Sequence, residues 1–406
     1  MPARADSSGP SRRNLLLGGA AAGAGAAALV GGDALLRAAG GGEPAAAPEP
    51  PFGGRTVAFH GRHQAGIATP PQAHARFIAL DLEGGTDRGA VRRLLRLLSD
   101  DAARLTAGEA ALADTEPELA HDPAGLTVTF GFGRGLVERV DPAAVPEWLG
   151  PLPEFGRDRL SERWCGGDLL LQVCADDPVS VSHAARMLTK DSRAFARVRW
   201  VQEGFRRARG AQPAGATMRN LMGQVDGTTN PAPGTPDFAD LVWHRGGGGA
   251  GAAWLRHGSA LVVRRIAMDL DEWDRLDRPG REEAVGRRLS DGAPLTGGGE
   301  HDEPDFEAVG ALGFPVIPEY AHIRRARSAD PAERIFRRAY NYEDTEGAGL
   351  VFAAFQADVT RQFVPIQRRL DELDLLNEWV TAIGSAVFAV PPGCGPDGFV
   401  GETLFA

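Results

Sequence analysis

Cysteine is scarce in this 406-residue chain, which carries only Cys165, Cys174 and Cys394. An odd number with no CxxC pair excludes a disulfide framework and argues against a zinc ribbon. Cys165 and Cys174 flank the apolar stretch "GGDLLLQVC" and read as buried thiols. Lysine is almost absent, and the net charge is −10 with the acids dispersed rather than in blocks. A chain without clustered cations lacks what grips a phosphate backbone, so a nucleic-acid partner is not expected. Strongly apolar runs are missing too. The long uncharged run, residues 14–32, is mostly Ala and Gly, too weakly apolar for a stable membrane span.

What precedes that run is more telling. Arg12 and Arg13 stand directly before it, and a basic pair, a mildly apolar stretch and small residues together read as a twin-arginine export signal. Such a signal sends the protein through the export machinery to the periplasm or the cell exterior. The route carries folded proteins, often with a cofactor already bound, which agrees with the lack of a disulfide pattern. Residues 37–54 form a Pro/Gly/Ala linker. Residues 1–54 are therefore set apart from the fold, and the remainder is long enough for two domains, 55–211 and 212–406.

Strands are expected at "TVAFHGRHQAGI" and at "ARFIALDLEG", the second alternating to bury Ile78, Leu80 and Leu82. Val91, Leu94, Leu95, Leu97 and Leu98 then mark an amphipathic helix ended by Gly108. Strands "GLTVTF", "GGDLLLQVCAD" and "RVRWVQEGF" follow, with a helix at "PVSVSHAARMLTKDS" before the last. The second half offers the strand and helix of "GSALVVRRIAMDLDEW", the helix of "REEAVGRRLSDGAPL", the strand "GLVFAAFQAD" and the helix of "RQFVPIQRRLDELDLLNEWV". The alternation lacks a regular βαβ repeat and points to an α+β fold: two ferredoxin-like domains, each an antiparallel sheet packed with helices.

Candidate chemistry begins at "GQVDGTTNP", where Asp226 stands between glycine-rich neighbours and an Asn-Pro turn. By itself Asp-Gly is a turn dipeptide. "GFGRG" superficially matches a dinucleotide loop but lacks the later glycine and a placed ribose acid. His60 and His63 have no third ligand, so they do not read as a zinc site. Further on, "EYAHIRRARSADPAERIFRRAYNY" places His322 between apolar residues, ahead of the pair Arg337-Arg338. A held carboxylate, an isolated histidine and a following arginine together call for an explanation.

In sequence and order the stretches "GRHQAGIATPPQ", "LTVTFGFGRGL", "GGDLLLQVCADDP", "RNLMGQVDGTTNP", "VVRRIAMDLDEWDR", "AHIRRAR", "RRAYNY" and "RQFVPIQRRLDELDLLNEW" resemble the dye-decolourising peroxidases. With the leader, the resemblance is to the exported branch, which includes proteins called deferrochelatases. It implies one haem b per chain, held in the C-terminal domain. It further implies His322 as the proximal iron ligand, with Asp374 as the acid that receives its ring proton and Asp371 the competing choice. Asp226 would lie on the distal face, with Gly227 letting its backbone approach the haem. Arg337 would be the distal arginine, Arg338 being the alternative. Arg287 matches a stretch whose arginine meets a haem propionate. One departure is Ala339, where relatives of this branch commonly carry glycine.

The chemistry suits these residue types. A carboxylate at Asp226 can move a proton between the oxygens of peroxide, and a guanidinium at Arg337 can stabilise the charge that develops. An acid on the Nδ1 of His322 makes the ligand more electron-rich. The implied activity is a secreted peroxidase that reduces hydrogen peroxide and oxidises small organic reductants such as dyes and phenolics. The alternatives are a haem-handling protein, either a carrier or a deferrochelatase, and a haem-free binding module. A homo-oligomer is left open. Tyr340, Tyr342 and Trp379 read as packing residues.

Overall fold

The computed structural model of the protein describes residues 52–246 and 250–406. The twin-arginine leader and nearly all of the linker lie outside the described residues. Strands are β1 (His74–Leu82), β2 (Thr127–Phe132), β3 (Leu169–Ala175), β4 (Ala196–Phe205), the short β5 (Met218–Arg219) and β6 (Val225–Asp226), β7 (Ser259–Met268), the short β8 (Phe336–Arg337), β9 (Tyr340–Asp344), β10 (Gly347–Gln356) and β11 (Val380–Val390). The α-helices are α1 (Arg88–Thr106), α2 (Arg134–Val140), α3 (Pro178–Ser192), α4 (Pro236–Val242), α5 (Leu270–Arg275), α6 (Arg278–Val285), α7 (His322–Ala326) and α8 (Val364–Leu373).

Helix starts follow the local chemistry. The Asp87 carboxylate accepts from Ala90 N to cap α1, and Asp177 accepts from Ser180 N to cap α3, which has proline in its first turn. Val91, Leu94, Leu95, Leu98, Ala102 and Leu105 form one buried stripe of α1 at helical spacing.

Nine strands are hydrogen-bonded into one continuous sheet, which divides into two antiparallel four-stranded sheets, β4-β1-β3-β2 and β11-β7-β10-β9, with the short β8 also paired to β10. Numbered within its own half, each has the spatial order 4-1-3-2, with helices after the first and third strands. This is the ferredoxin-like pattern twice over, the expected α+β class. The sheets join edge to edge through single pairings, Phe132 with Ala389 and Phe205 with Asn341. Phe77 and Leu170 of one sheet share a core with Leu261, Phe355 and Phe388 of the other. The helices α1 and α3 bury the second face of the first sheet, so all seven residues of β3 are buried. Doubly covered strands read as continuous apolar runs, and β1 accordingly buries Phe77 and Ala79 as well as Ile78, Leu80 and Leu82.

Three details depart from the sequence reading. Residues 56–67 form a loop rather than a strand, because side chains replace the backbone ladder there. Gln64 accepts from Phe130 N at 2.8 Å and donates to Phe130 O and Pro391 O at 3.0 Å each. The eleven-residue β11 was not anticipated, although it is the first sheet's neighbour in the second half. Cys165 is half-exposed, its thiol directed at Ser161 O, while Cys174 is buried as expected. No helix among the described residues is long and apolar enough to cross a membrane.

Where α1 meets α3, two acids face each other. Asp101 is buried and accepts from Leu112 N at 2.8 Å, but its Oδ2 and that of Asp191 have no hydrogen-bond partner. Burial, then the hydrogen bond to Asp101 that a proton on Asp191 would make and the charge of Asp101, push the Asp191 carboxyl up to about 7. A folded pKa above the unfolded one means that folding favours the protonated acid. Stability from this site is full below the unfolded value near 4 and is lost as pH rises through about 7. Asp191→Asn is therefore expected to raise Tm at pH 8 by about 2 °C or more, with little change at pH 4. Thermal melts at the two pH values check this; equal shifts would mean that the acids do not share a proton.

Candidate functional site

The site is assembled from segments far apart in sequence. Met218 pairs with Asp226 and Arg219 with Val225 in the β5–β6 hairpin, so Asp226 ends a strand rather than tipping a turn. The hairpin is anchored by Arg219, whose Nη1 donates to Gly223 O at 2.9 Å and to Leu289 O at 2.6 Å. Gly227 follows with φ +116°, a conformation that a side chain would strain. The chain turns again at Asn230, whose backbone N donates to Gly227 O at 3.0 Å.

Asn230 then straps β8 in place. Its Nδ2 donates to Arg337 O at 2.7 Å, and Arg337 N donates back to its Oδ1 at 3.0 Å. Held so, Arg337 Nη1 donates to Asp226 Oδ1 at 2.9 Å. Successive residues of an extended chain point to opposite sides, so only one of the two arginines can do this. Arg338 is fully buried and donates instead to Thr69 O and Gln72 Oε1, among residues of the first half.

His322 opens α7. That helix is fixed by Arg324, which donates to Phe306 O at 2.6 Å, and by Arg325, which reaches Glu372 and Arg369 O on α8. The imidazole Nδ1 lies 2.6 Å from Asp374 Oδ2. Asp374 ends α8, and its other oxygen accepts from Leu376 N at 3.0 Å, which leaves the carboxylate little freedom. Its side chain is 4% exposed against 29% for His322. Burial works against a charged imidazole, but the adjoining carboxylate of Asp374 more than offsets it, so the His322 pKa is raised. Arg337 lowers it and Asp226 raises it by smaller amounts. With Nδ1 engaged, Nε2 is the ring atom left to ligate a metal. Asp371 lies elsewhere, accepting from Gly156 N and Arg157 N at 2.8 Å each.

Arg287 is buried, and its Nη1 donates to Gly292 O at 2.7 Å and Glu300 O at 2.8 Å. Burial, opposed by Glu300 and reinforced by Arg337 and Arg327, lowers its pKa. Tyr340 and Tyr342 are buried in the core between the sheets, and half-buried Trp379 packs edge-on against Trp273, 5.2 Å between centroids. A cavity of about 420 Å³ opens over the Asp226–Arg337 pair, with Gly227, Asn230 and Arg206 in its wall. The sequence reading passed over Asn230 and Arg206. "Asn-Pro" looked like an ordinary turn, and nothing in "QEGFRRARG" says which of several arginines turns inward.

On the His322 side, Ile323 and Leu375 stand beside Ile266 of β7 and Phe352 of β10 as partly buried apolar residues around one small core. The fold thus presents an acid–arginine pair, a carboxylate-bound imidazole with one free nitrogen, and apolar side chains beside that imidazole. Comparison with known proteins identifies relatives of the chain. The family model "Dyp-type peroxidase, N-terminal" matches residues 64–206, and "Dyp-type peroxidase, C-terminal" matches residues 217–395. A dye-decolorizing peroxidase of Thermobifida fusca is 41% identical over 345 residues, covering 81% of this chain and 80% of that protein. A deferrochelatase of Escherichia coli is 35% identical over 355 residues, covering 82% and 84%. Among solved structures, a DyP-type peroxidase from Cellulomonas bogoriensis is 53% identical with a TM-score of 0.85, covering 88% of this chain and 99% of that one. An oxyferrous/water complex of DtpA from Streptomyces lividans is 43% identical with a TM-score of 0.83, covering 87% and 99%. The chain belongs to the Dyp-type peroxidase family.

Proposed function

We propose that the protein is an exported haem peroxidase, with the haem ligated by His322 and peroxide cleaved beside Asp226 and Arg337. The observations that carry this reading are the pairing of Asp226 with Arg337 at 2.9 Å and the holding of His322 Nδ1 by Asp374 at 2.6 Å. The residues fit a haem: His322 keeps Nε2 free, and Ile266, Ile323 and Phe352 offer apolar contact to a planar ring. Bound haem would supply the redox chemistry, activating peroxide and passing oxidising equivalents to organic donors one electron at a time.

This chain's own residues do the rest. Asp374 holds the Nδ1 proton and keeps Nε2 aimed and electron-rich. Asp226 Oδ2, the oxygen not bonded to Arg337, accepts the proton of peroxide and delivers it to the leaving oxygen. Arg337 fixes that carboxylate and supplies permanent positive charge where negative charge develops. Gly227 keeps the loop low enough for the carboxylate to reach in. Arg287 is suited to a propionate through the donors its Nη1 contacts leave over. The cavity beside the pair is of a size for peroxide and small single-ring donors. Domain limits of 55–211 and 212–406 are supported by the spans of the two family models, and export by Arg12-Arg13 is the reading of the leader.

The test is to add hydrogen peroxide to the haem-loaded protein with a reporter dye. Peroxide-dependent bleaching with retained haem supports the peroxidase. Release of iron with intact porphyrin, and no bleaching, would assign the activity of the relatives named deferrochelatase. Asp374→Asn tests the proximal pair, because it keeps an acceptor but removes the charge. Haem affinity is expected to fall about 10–100-fold, read as haem transfer to excess haem-free myoglobin; unchanged transfer would remove Asp374 from the site.

A further inference from the structure

Arg206 stands just past the end of β4, on the wall of the cavity that holds Asp226 and Arg337. Its Nε donates to Ala339 O at 2.8 Å, and its guanidinium lies over the Tyr340 ring, 5.0 Å from the centroid. Those two contacts fix the plane of the group and leave its terminal nitrogens unspent. Neither Nη atom has a hydrogen-bond partner among the described residues, and neither is among the fully buried unpartnered atoms. The neighbouring Arg287 and Arg338 differ, because both donate to acceptors of the protein itself.

The charges of the cavity wall do not balance. Arg206 and Arg337 contribute two guanidinium groups and Asp226 one carboxylate, and that carboxylate already belongs to Arg337. Thr69 and Thr217 add hydroxyls, while Pro70, Pro71 and Met218 are apolar. Burial lowers the Arg206 pKa, so desolvation of this cation goes partly uncompensated within the chain. A planar oxyanion that docks on both Nη atoms would supply the missing partner with two parallel hydrogen bonds. The volume, about 420 Å³, suits a single-ring molecule and not a polycyclic dye.

We propose that Arg206 is a specificity residue that seats the carboxylate of a small aromatic electron donor in the cavity over the Asp226–Arg337 pair. The proposal rests on the peroxidase reading for its donor, while its binding arm does not. A haem propionate is the other source of a carboxylate, and the test separates the two. Wild type, Arg206→Gln and Arg206→Lys are prepared with haem, and the haem-to-protein ratio of each is read first. Peroxide-driven oxidation of 4-hydroxybenzoate is compared with that of its neutral partner 4-hydroxybenzamide, and benzoate binding is measured by calorimetry without peroxide. In Arg206→Gln the preference for the carboxylate donor, as a ratio of kcat/KM, is expected to fall about tenfold through KM. Benzoate affinity should fall by the same factor, with Arg206→Lys restoring part of both. An unchanged ratio and an unchanged benzoate affinity would overturn the proposal. So would loss of haem from Arg206→Gln with the donor preference intact, which would assign Arg206 to a propionate. A wild-type protein that takes up no haem would defeat the peroxidase reading, and calorimetry with benzoate would still decide for or against the anion site.

Discussion

His322→Ala is expected to leave a folded chain that retains less than about a tenth of the wild-type haem, since it removes the proposed iron ligand itself rather than a supporting group. The fold should survive because the His322 side chain is 29% exposed and contributes little core area. Asp374 loses its ring partner but keeps Leu376 N as a donor, so no fully unpartnered buried acid remains. Arg324 and Arg325 still fix α7, so the helix that presents position 322 stays where it is. Haem content by absorbance and folding by circular dichroism are measured on the same sample. A second variant guards against misreading: His322→Gly with added imidazole should recover haem, because the free ring can occupy the space beside Asp374. Full haem retention by His322→Ala would place the ligand elsewhere.

The second large effect concerns the opposite pair. Asp226→Asn keeps an oxygen for Arg337 Nη1 to bond, so the geometry stays while the proton-accepting charge disappears. The reaction with peroxide is expected to slow about 10²–10⁴-fold, with haem content unchanged, in stopped-flow absorbance. Arg337→Leu removes the positive charge that would stabilise the developing anion and frees Asp226 to wander, for an expected loss of about 10²–10³-fold. The two groups act as a unit, so the double variant should lose much less than the product of the two factors. If Arg337→Leu is crippling and Asp226→Asn nearly silent, the proton moves through water held by the arginine.

Much of this could be read before any coordinates, and the failures have physical reasons. Helices such as α1 and α3 announce themselves through capping acids and apolar residues three and four apart. Strands β3 and β10 do so through continuous apolar runs. The loop at residues 56–67 misled because Phe59 and Ile67 are buried as strand residues would be, while Gln64 supplies the hydrogen bonds. At the site, the pairings of Asp226 with Arg337 and His322 with Asp374 join residues 111 and 52 positions apart. No local pattern contains such contacts; resemblance alone suggested them. The choice of Arg337 over Arg338 turns on which of two successive residues, the last of β8 or the one just past it, faces Asp226. Asp374 over Asp371 turns on where α8 stops, a boundary that periodicity leaves uncertain by a turn. Asn230 and Arg206 carried no signal because their roles exist only once β4, β8 and the hairpin are brought together.

One experiment bears on all four groups at once: the absorption spectrum of the haem-loaded protein, recorded in milliseconds after one equivalent of hydrogen peroxide. Wild type should show an intense haem band that shifts within the mixing experiment and returns when a phenolic donor is added. Asp226→Asn should start from the same band and shift far more slowly. A protein with no haem band, or one whose band is indifferent to peroxide, would contradict an imidazole-held haem facing an acid–arginine pair.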